Sequence, residues 1–406
     1  MINPDFALFD ENMFNRLRGL LDEIDPPHDM PAINMTIGEP KQAAPHILSD
    51  IAAQHADSWN FYPKPMGDTE MQEDVIAYIT HRFGVKSAAI IHPDRHLLPI
   101  PGTREPLHFL GLCVAGSKKN GCALVSNPYY HAWRAGALAS RGEIIYMNLT
   151  AEAGYLPDLD TLEVNTLERC QIMYVCAPSN PHGATASRDW LANVARLARR
   201  YNFLLVVDEC YIDIWRKNRP VGMLEILAEI SEGMEDPLQQ IVVLNSLSKR
   251  SNAAGLRCGY MVGDVRIIAA YTKLIANGGA LVPTPLLRAA GALYRDETHQ
   301  HLARAHYDAS FALAEDILGI KAPEGGFFLW IKVGDDLAMT KQLWQQAGVR
   351  VMPGRFMAAD TDTGNPGAGY IRVALVHDHD VIETALHRMA PILSSQNSII
   401  ESDYAG

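Results

Sequence analysis

The stretch Ile241-Val242-Val243-Leu244-Asn245-Ser246-Leu247-Ser248-Lys249-Arg250-Ser251-Asn252, followed by Gly255-Leu256-Arg257-Cys258-Gly259, decides how this chain is read. Its first four residues are aliphatic and mostly β-branched, the signature of a buried strand that ends at a polar loop. Lys249 then places a long cation just past a core strand. A solvated side chain is the ordinary reading of one lysine, but Ser246 and Arg257 flank this one at spacings from which both can hold a single phosphate. An amine that attacks a carbonyl must be partly neutral, and burial beside another cation lowers its pKa.

Working outward, other apolar runs end on polar residues in the same way. Residues 97–100 lead into Pro101-Gly102-Thr103-Arg104-Glu105, which opens a helix to about residue 115. A glycine and a hydroxyl at a helix start make an anion site, because free N–H groups converge there; taken alone it is a capped helix start. Residues 122–126 end in Asn127-Pro128-Tyr129-Tyr130-His131, where Tyr130, with Tyr129 as competitor, offers an aromatic face to a planar ring. Residues 171–176 lead to Ala177-Pro178-Ser179-Asn180-Pro181-His182-Gly183. Leu204-Leu205-Val206-Val207 runs into Asp208-Glu209-Cys210-Tyr211, and a carboxylate behind four aliphatic residues is costly unless paired. Gly102, Tyr130, Asn180, Asp208 and the Ser246/Lys249 pair thus each sit at or beyond the carboxyl end of a separate strand. In an open, mostly parallel α/β sheet those ends line one edge, where ligands bind. Further along, Arg372 lies in the apolar run Tyr370-Ile371-Arg372-Val373-Ala374 and needs an anion, from a ligand or from a salt bridge within the protein. Near the start, Gly38 in Ile37-Gly38-Glu39-Pro40 permits close approach of backbone to a ligand.

At 406 residues and 48% hydrophobic, the chain can bury one large and one smaller domain. We expect an N-terminal arm with part of the small domain over 1–45, a large domain over 46–285 and the small α+β domain over 286–406. An amphipathic helix carrying Phe9, Met13, Phe14, Leu17, Leu20 and Leu21 is predicted before the stop at Asp25-Pro26-Pro27. One long helix over about 286–318 is predicted to join the domains. A net charge of −12 with no basic block argues against nucleic acid or an anionic membrane as partner. Asp5, Asp10, Glu11, Arg16 and Arg18 leave no apolar stretch suited to a signal peptide, and no apolar run reaches spanning length. The six cysteines lack CxxC pairing and read as reduced thiols of a cytoplasmic protein. His92 and His96 straddle Pro93, so no metal site is expected. The tail from Ser394 is polar and reads as loosely held.

Ser246-x-Ser248-Lys249 with Arg257 eight residues on resembles the cofactor-lysine signature of class I/II aminotransferases, fold-type I enzymes that use pyridoxal 5′-phosphate. The resemblance spans roughly residues 10–390 through Ile37-Gly38-Glu39-Pro40, Gly102-Thr103-Arg104-Glu105, Ser179-Asn180-Pro181 and Asp208-Glu209-Cys210-Tyr211. It implies transfer of an amino group between an L-amino acid and a 2-oxo acid such as 2-oxoglutarate. Lys249 would carry the cofactor, and Gly102, Thr103, Arg104, Ser246 and Arg257 would cradle its phosphate. Tyr130 would stack on its ring, Asp208 would meet the ring nitrogen, and Asn180 and Tyr211 the phenolic oxygen. Arg372, with Gly38 and Asn180, would hold the substrate carboxylate. Tyr62 matches a family position that serves the neighbouring subunit's cofactor, which implies a homodimer with shared sites. Pro101 and Pro106 replace the usual Asn and Ala, and His182 the usual Thr. Within the family the strings around Lys249, Asp208, Asn277-Gly278-Gly279-Ala280 and Arg372 are most similar to N-succinyldiaminopimelate aminotransferases; aspartate or an aromatic amino acid is an alternative donor. Arg16, Lys64, Arg104 and Asn277 are candidates for the far end of the substrate. Two other functions stay open: a β-elimination lyase or decarboxylase on the same scaffold, and a non-catalytic cofactor-binding sensor. The sensor is not expected, because the short acidic N-terminus has no room for a DNA-binding module.

Overall fold

In the computed structural model, which describes residues 1–2, 7–9 and 11–395, the strand-ending runs do meet in one sheet. Its seven strands are β2 (Leu97–Ile100), β3 (Cys122–Asn127), β4 (Glu143–Asn148), β5 (Cys170–Cys176), β6 (Leu204–Asp208), β7 (Ile241–Ser246) and β8 (Gly259–Gly263), in the order β2-β8-β7-β6-β5-β3-β4. Strands β7, β6, β5, β3 and β4 are mutually parallel, whereas β8 is antiparallel to both of its neighbours, β7 and β2. β2 therefore runs the same way as β7, and the carboxyl ends of six strands share an edge with the start of β8.

The inner strands are buried along their whole length because helices cover both faces. The alternation is visible in the core. Leu205, Val207, Ile241 and Val243 pack with the helices Thr69–Phe83, Arg188–Tyr201, Met223–Ile230 and Thr284–Arg295. Leu204, Val206, Val242 and Leu244 face the other way, toward Arg104–Val114, His131–Ala139 and Val265–Gly278.

A second, antiparallel sheet is built from β11 (Met352–Pro353), β12 (Tyr370–Ala374) and β9 (Phe328–Lys332), in that order. Its core includes Leu329, Ile331, Ile371 and Val373 and is closed by the helices Thr298–Leu318, Asp336–Ala347 and His379–Ser394. The N-terminal segment joins this part of the molecule. β1 (Ile33–Asn34) pairs in parallel with β10 (Val349–Arg350), and Ala374 donates its N–H to the carbonyl of Met35 at 2.7 Å. The predicted amphipathic helix is Met13–Leu21, capped by Asn12, whose side chain accepts from the Phe14 N–H at 2.9 Å. Asp5, Asp10 and the tail beyond residue 395 lie outside the described residues.

One expectation is corrected. The long helix over about 286–318 is two helices, Thr284–Arg295 and Thr298–Leu318. Asp296 ends the first and starts the second: its carboxylate accepts from the Thr298 N–H at 2.9 Å and pairs with His299 at 2.7 Å. A short acceptor side chain at a chain reversal satisfies the free N–H groups of the next helix, so it marks a boundary.

Candidate active site

The shared strand edge opens into a cleft of about 450 Å³ that also receives Gly38 and Arg372 from the smaller layer. Lys249 lies in the one-turn helix Leu247–Arg250 directly after β7. The next side chain, Arg250, points into the core, where it pairs with buried Asp213 at 3.0 Å and donates to the Leu293 carbonyl at 2.7 Å. That anchor fixes the turn and sends Lys249 into the cleft. The Lys249 amine donates to the Gly38 carbonyl and lies 5.7 Å from the centre of the Phe327 ring. Burial lowers its pKa from 10.5 to about 8, helped by the charges of Arg372 and Arg257.

Asp208 closes β6 at 2% exposure. Trp133 Nε1 donates to its Oδ2 at 3.3 Å and the Cys210 N–H to its Oδ1 at 3.3 Å, both neutral donors. Burial pushes its carboxyl up; the Cys210 and Trp133 hydrogen bonds and the charge of Lys249 oppose that shift. Tyr211, on the same turn, is buried, its hydroxyl pushed well above the ordinary range by desolvation.

Arg372 is 3% exposed. Its guanidinium donates to Asn180 Oδ1 at 3.1 Å and to the Thr36 carbonyl at 2.8 Å, and lies 4.3 Å above the Phe328 ring. Among the described residues no carboxylate meets it, and its Nε has no acceptor at all. Burial lowers its pKa to about 10, so it stays charged at neutral pH. A buried cation with an open donor calls for an anion that the chain itself does not supply.

At the other end of the cleft the helix Arg104–Val114 begins without a side-chain cap. Gly102 has φ +73°, and a Cβ there would stand 2.5 Å from the Arg257 guanidinium, so glycine is required for that approach. Arg257 donates to the carbonyls of Ala254 at 2.9 Å and Pro101 at 3.0 Å. Pro101, one of the departures, thereby serves through its carbonyl, and Pro106 fits within the first turn of the helix. Ser246 and Ser248 share a hydrogen bond of 2.9 Å beside this cup.

Of the residues expected at the site, Gly38, Thr103, Arg104, Tyr130, Asn180, Asp208, Tyr211, Ser246, Lys249, Arg257 and Arg372 line the cleft, with Gly102 behind Arg257. Tyr130 lines it, its hydroxyl accepting from Arg104 Nε at 3.1 Å, whereas Tyr129 turns away and packs on Tyr146. Tyr62 is not brought to the cleft of its own chain; it is 99% exposed. Arg104 is the one distal-end candidate on the cleft wall; Arg16 lines an adjoining cavity, and Lys64 and Asn277 line neither. Sequence reasoning missed Trp133, Ser248 and Cys176. Trp133 had a usable signal, because its position three after Tyr130 puts it on the same side of a helix.

His182 stacks on Tyr155 at 4.3 Å and meets Trp330 edge-on at 5.2 Å. Both ring nitrogens are buried without a partner, and burial lowers its pKa to about 3. It is a neutral aromatic wedge two residues from Asn180.

The donor set fits pyridoxal phosphate: an anion cup at one end, a neutralisable amine in the middle, a buried carboxylate with only neutral donors and a cation awaiting a carboxylate. Comparisons agree. A family model described as "Aminotransferase class I and II" matches residues 31–389. An LL-diaminopimelate aminotransferase of Syntrophobacter fumaroxidans is 29% identical, aligned over 88% of this chain and 90% of that protein. One of Dehalococcoides mccartyi is 28% identical, over 88% and 90%. These relatives carry the diaminopimelate name without the N-succinyl group. A Neisseria meningitidis aminotransferase structure superposes with TM-score 0.90 at 31% identity, covering 97% of this chain and 100% of its own. The aminotransferase AspB of Helicobacter pylori gives 0.87 at 27%, covering 96% and 100%. With lysine, carboxylate, anion cup and arginine all at one sheet edge, the chain belongs to the class I and II aminotransferases and depends on pyridoxal phosphate to move amino groups between amino and 2-oxo acids.

Proposed function

We propose that the amino donor is an L-amino acid of the diaminopimelate type, free or N-succinylated, that the acceptor is 2-oxoglutarate, and that the enzyme is a cytoplasmic homodimer with shared sites. Residues 46–285, together with the helix Thr284–Arg295 that packs on them, form the cofactor domain, and the rest of 286–406, joined by part of 1–45, the domain that contributes Arg372. The observation that carries this reading is the buried Arg372 guanidinium, which lacks any carboxylate partner among the described residues and opens onto the same cleft as Lys249 and Asp208.

When bound, pyridoxal phosphate supplies an electron-withdrawing ring on which an amino group is carried from one acid to the other. The chain's residues do the rest. At pH 7 an amine with a pKa of about 8 is roughly one-tenth neutral, on the order of 300-fold more than an ordinary lysine. Lys249 would hold the cofactor and would move the proton at the substrate Cα. Asp208 would keep a proton at the ring nitrogen. Asn180 and Tyr211 would serve the phenolic oxygen, Tyr130 would cover the ring, and Gly102, Thr103, Arg104, Ser246 and Arg257 would hold the phosphate. Arg372 binds the α-carboxylate, and Gly38 brings backbone to its edge.

Support for a long donor comes from the cleft mouth. Arg104 lines both the cleft and an adjoining cavity of about 1140 Å³ that contains Arg16, so cations mark a route for a distal carboxylate. Support for the dimer comes from Trp59, Phe61 and Tyr62, apolar side chains exposed at 55, 73 and 99%. Six free cysteines favour a reducing compartment.

Glutamate formation from 2-oxoglutarate, measured with LL-diaminopimelate, its N-succinyl derivative, aspartate and phenylalanine as donors, tests the reading. A diaminopimelate-type compound should give the highest kcat/KM. Preference for aspartate or phenylalanine overturns the proposed substrate, and pyruvate and ammonia released without an acceptor acid from an amino acid bearing a leaving group on Cβ would place the chain among the lyases.

A further inference from the structure

The roles assigned above leave two nucleophilic side chains in the cleft unused. Cys176 ends β5 and Cys210 lies two residues past the end of β6; Cys176 pairs in register with Asp208, so the turn after β6 brings the second thiol beside the first. The two thiols lie within interaction range of each other, neither is in a disulfide, and the Cys176 thiol donates to the Pro178 carbonyl at 3.1 Å. Both residues line the cleft with Asp208 and Lys249. Cys210 also holds Asp208 through its backbone N–H at 3.3 Å, and its thiol lies beside the same carboxylate.

We propose that Cys176 and Cys210 form a dithiol site for trivalent organoarsenicals, and that filling it withdraws the Cys210 thiol from Asp208. Arsenic is soft and prefers sulfur ligands. The first As–S bond places the second thiol in an intramolecular reaction, so the pair outcompetes any lone cysteine. With an arsine oxide, R–As=O, two As–S bonds form and the As=O bond breaks. The two thiol protons leave with that oxygen as water, and arsenic stays trivalent, so no oxidant or reductant is needed.

The state of the thiols favours this condensation over oxidation or alkylation. The neighbouring Cys176 thiol, and then burial, push the Cys210 thiol well above the ordinary range; burial also raises Cys176. Peroxide and iodoacetamide need a thiolate, which this pair rarely provides, whereas condensation with an arsine oxide uses the protons that neutral thiols carry. A second pair supplies the internal control. Cys122 and Cys170 are register partners on β3 and β5, but they are fully buried at the opposite end of the sheet.

The holoenzyme is treated with equimolar phenylarsine oxide at pH 7 and followed by intact mass, cofactor absorbance and activity. One phenylarsine group per chain is expected, with loss of water, a changed cofactor spectrum and loss of activity. All three should revert with 2,3-dimercaptopropanol but not with a monothiol. Peptide mapping of the wild-type adduct should join the segments containing Cys176 and Cys210, a result that does not depend on how any variant folds. Cys176→Ser and Cys210→Ser should each lose the adduct, whereas Cys170→Ser should keep it. An adduct that maps to Cys122 and Cys170, or that persists in both Cys176→Ser and Cys210→Ser, or no adduct at all, overturns the proposal. Because mass is the primary readout, these outcomes are independent of which amino acid the enzyme turns over.

Discussion

Lys249 and Arg372 are both cations that the fold has taken out of water, yet only one of them changes state near neutrality. Capture of pyridoxal phosphate by the apoenzyme requires the neutral amine, so its rate should climb with pH below about 8 and level off above it. Stopped-flow absorbance across pH 6–9 reads this, and a flat profile excludes Lys249 as the capturing group. Arg372→Lys keeps a charge but loses the planar fork. The KM for donor and acceptor should rise together by about 10- to 100-fold, as loss of about 1.5–3 kcal/mol from a charged hydrogen bond requires, with kcat less affected. Glu209 offers a test of stability. Burial raises its pKa from 4.5 to about 8, so the folded state holds a proton that the unfolded state releases. Stability should therefore fall as pH rises through that interval, and Glu209→Gln, which mimics the protonated form, should flatten the slope seen in thermal melts. Asp208 and Arg372 were legible in the sequence because a charge inside an apolar run is a debt that something must settle. Cys176 was not, since a thiol in such a run is ordinary core, whereas Trp133 could have been placed by its helical spacing from Tyr130.

At the scale of elements, strand ends were easier to find than helix ends. β6 and β7 carry unbroken aliphatic runs that suit strands buried on both sheet faces. The stop at Asp296 escaped notice because its capping role depends on a local hydrogen bond to Thr298, which hydrophobic periodicity does not register. β8 escaped as well: Gly259 and Gly263 at its ends weaken the strand pattern, although Tyr260, Met261 and Val262 are fully buried between its neighbours. The loop after β5 gives a prediction at this scale. His182 contributes an unpartnered ring between Tyr155 and Trp330, so shape rather than hydrogen bonding holds it. His182→Phe should melt within a few degrees of the parent. His182→Ala, which leaves a cavity between the two layers, should cost about 2–4 kcal/mol in denaturant unfolding. Equal losses in both variants would show that the imidazole nitrogens matter.

For the whole molecule, the proposed sharing of sites between subunits can be checked by complementation. Lys249→Ala and Tyr62→Ala chains are each expected to be impaired. After subunit exchange half the dimers are mixed, and in each of these one site regains both residues, so about a quarter of the sites should work. No recovery, with exchange verified by native mass spectrometry, would make the clefts self-contained. The reversed direction of β8 has a separate outcome. Because this one strand enters the sheet where the others leave it, Arg257 reaches the anion cup only while β8 stays zipped between β2 and β7. Occupancy by the cofactor is then a latch on a seam: phosphate should slow amide exchange at Tyr260 and Met261, and peeling of that seam should release the cofactor while the parallel strands remain folded.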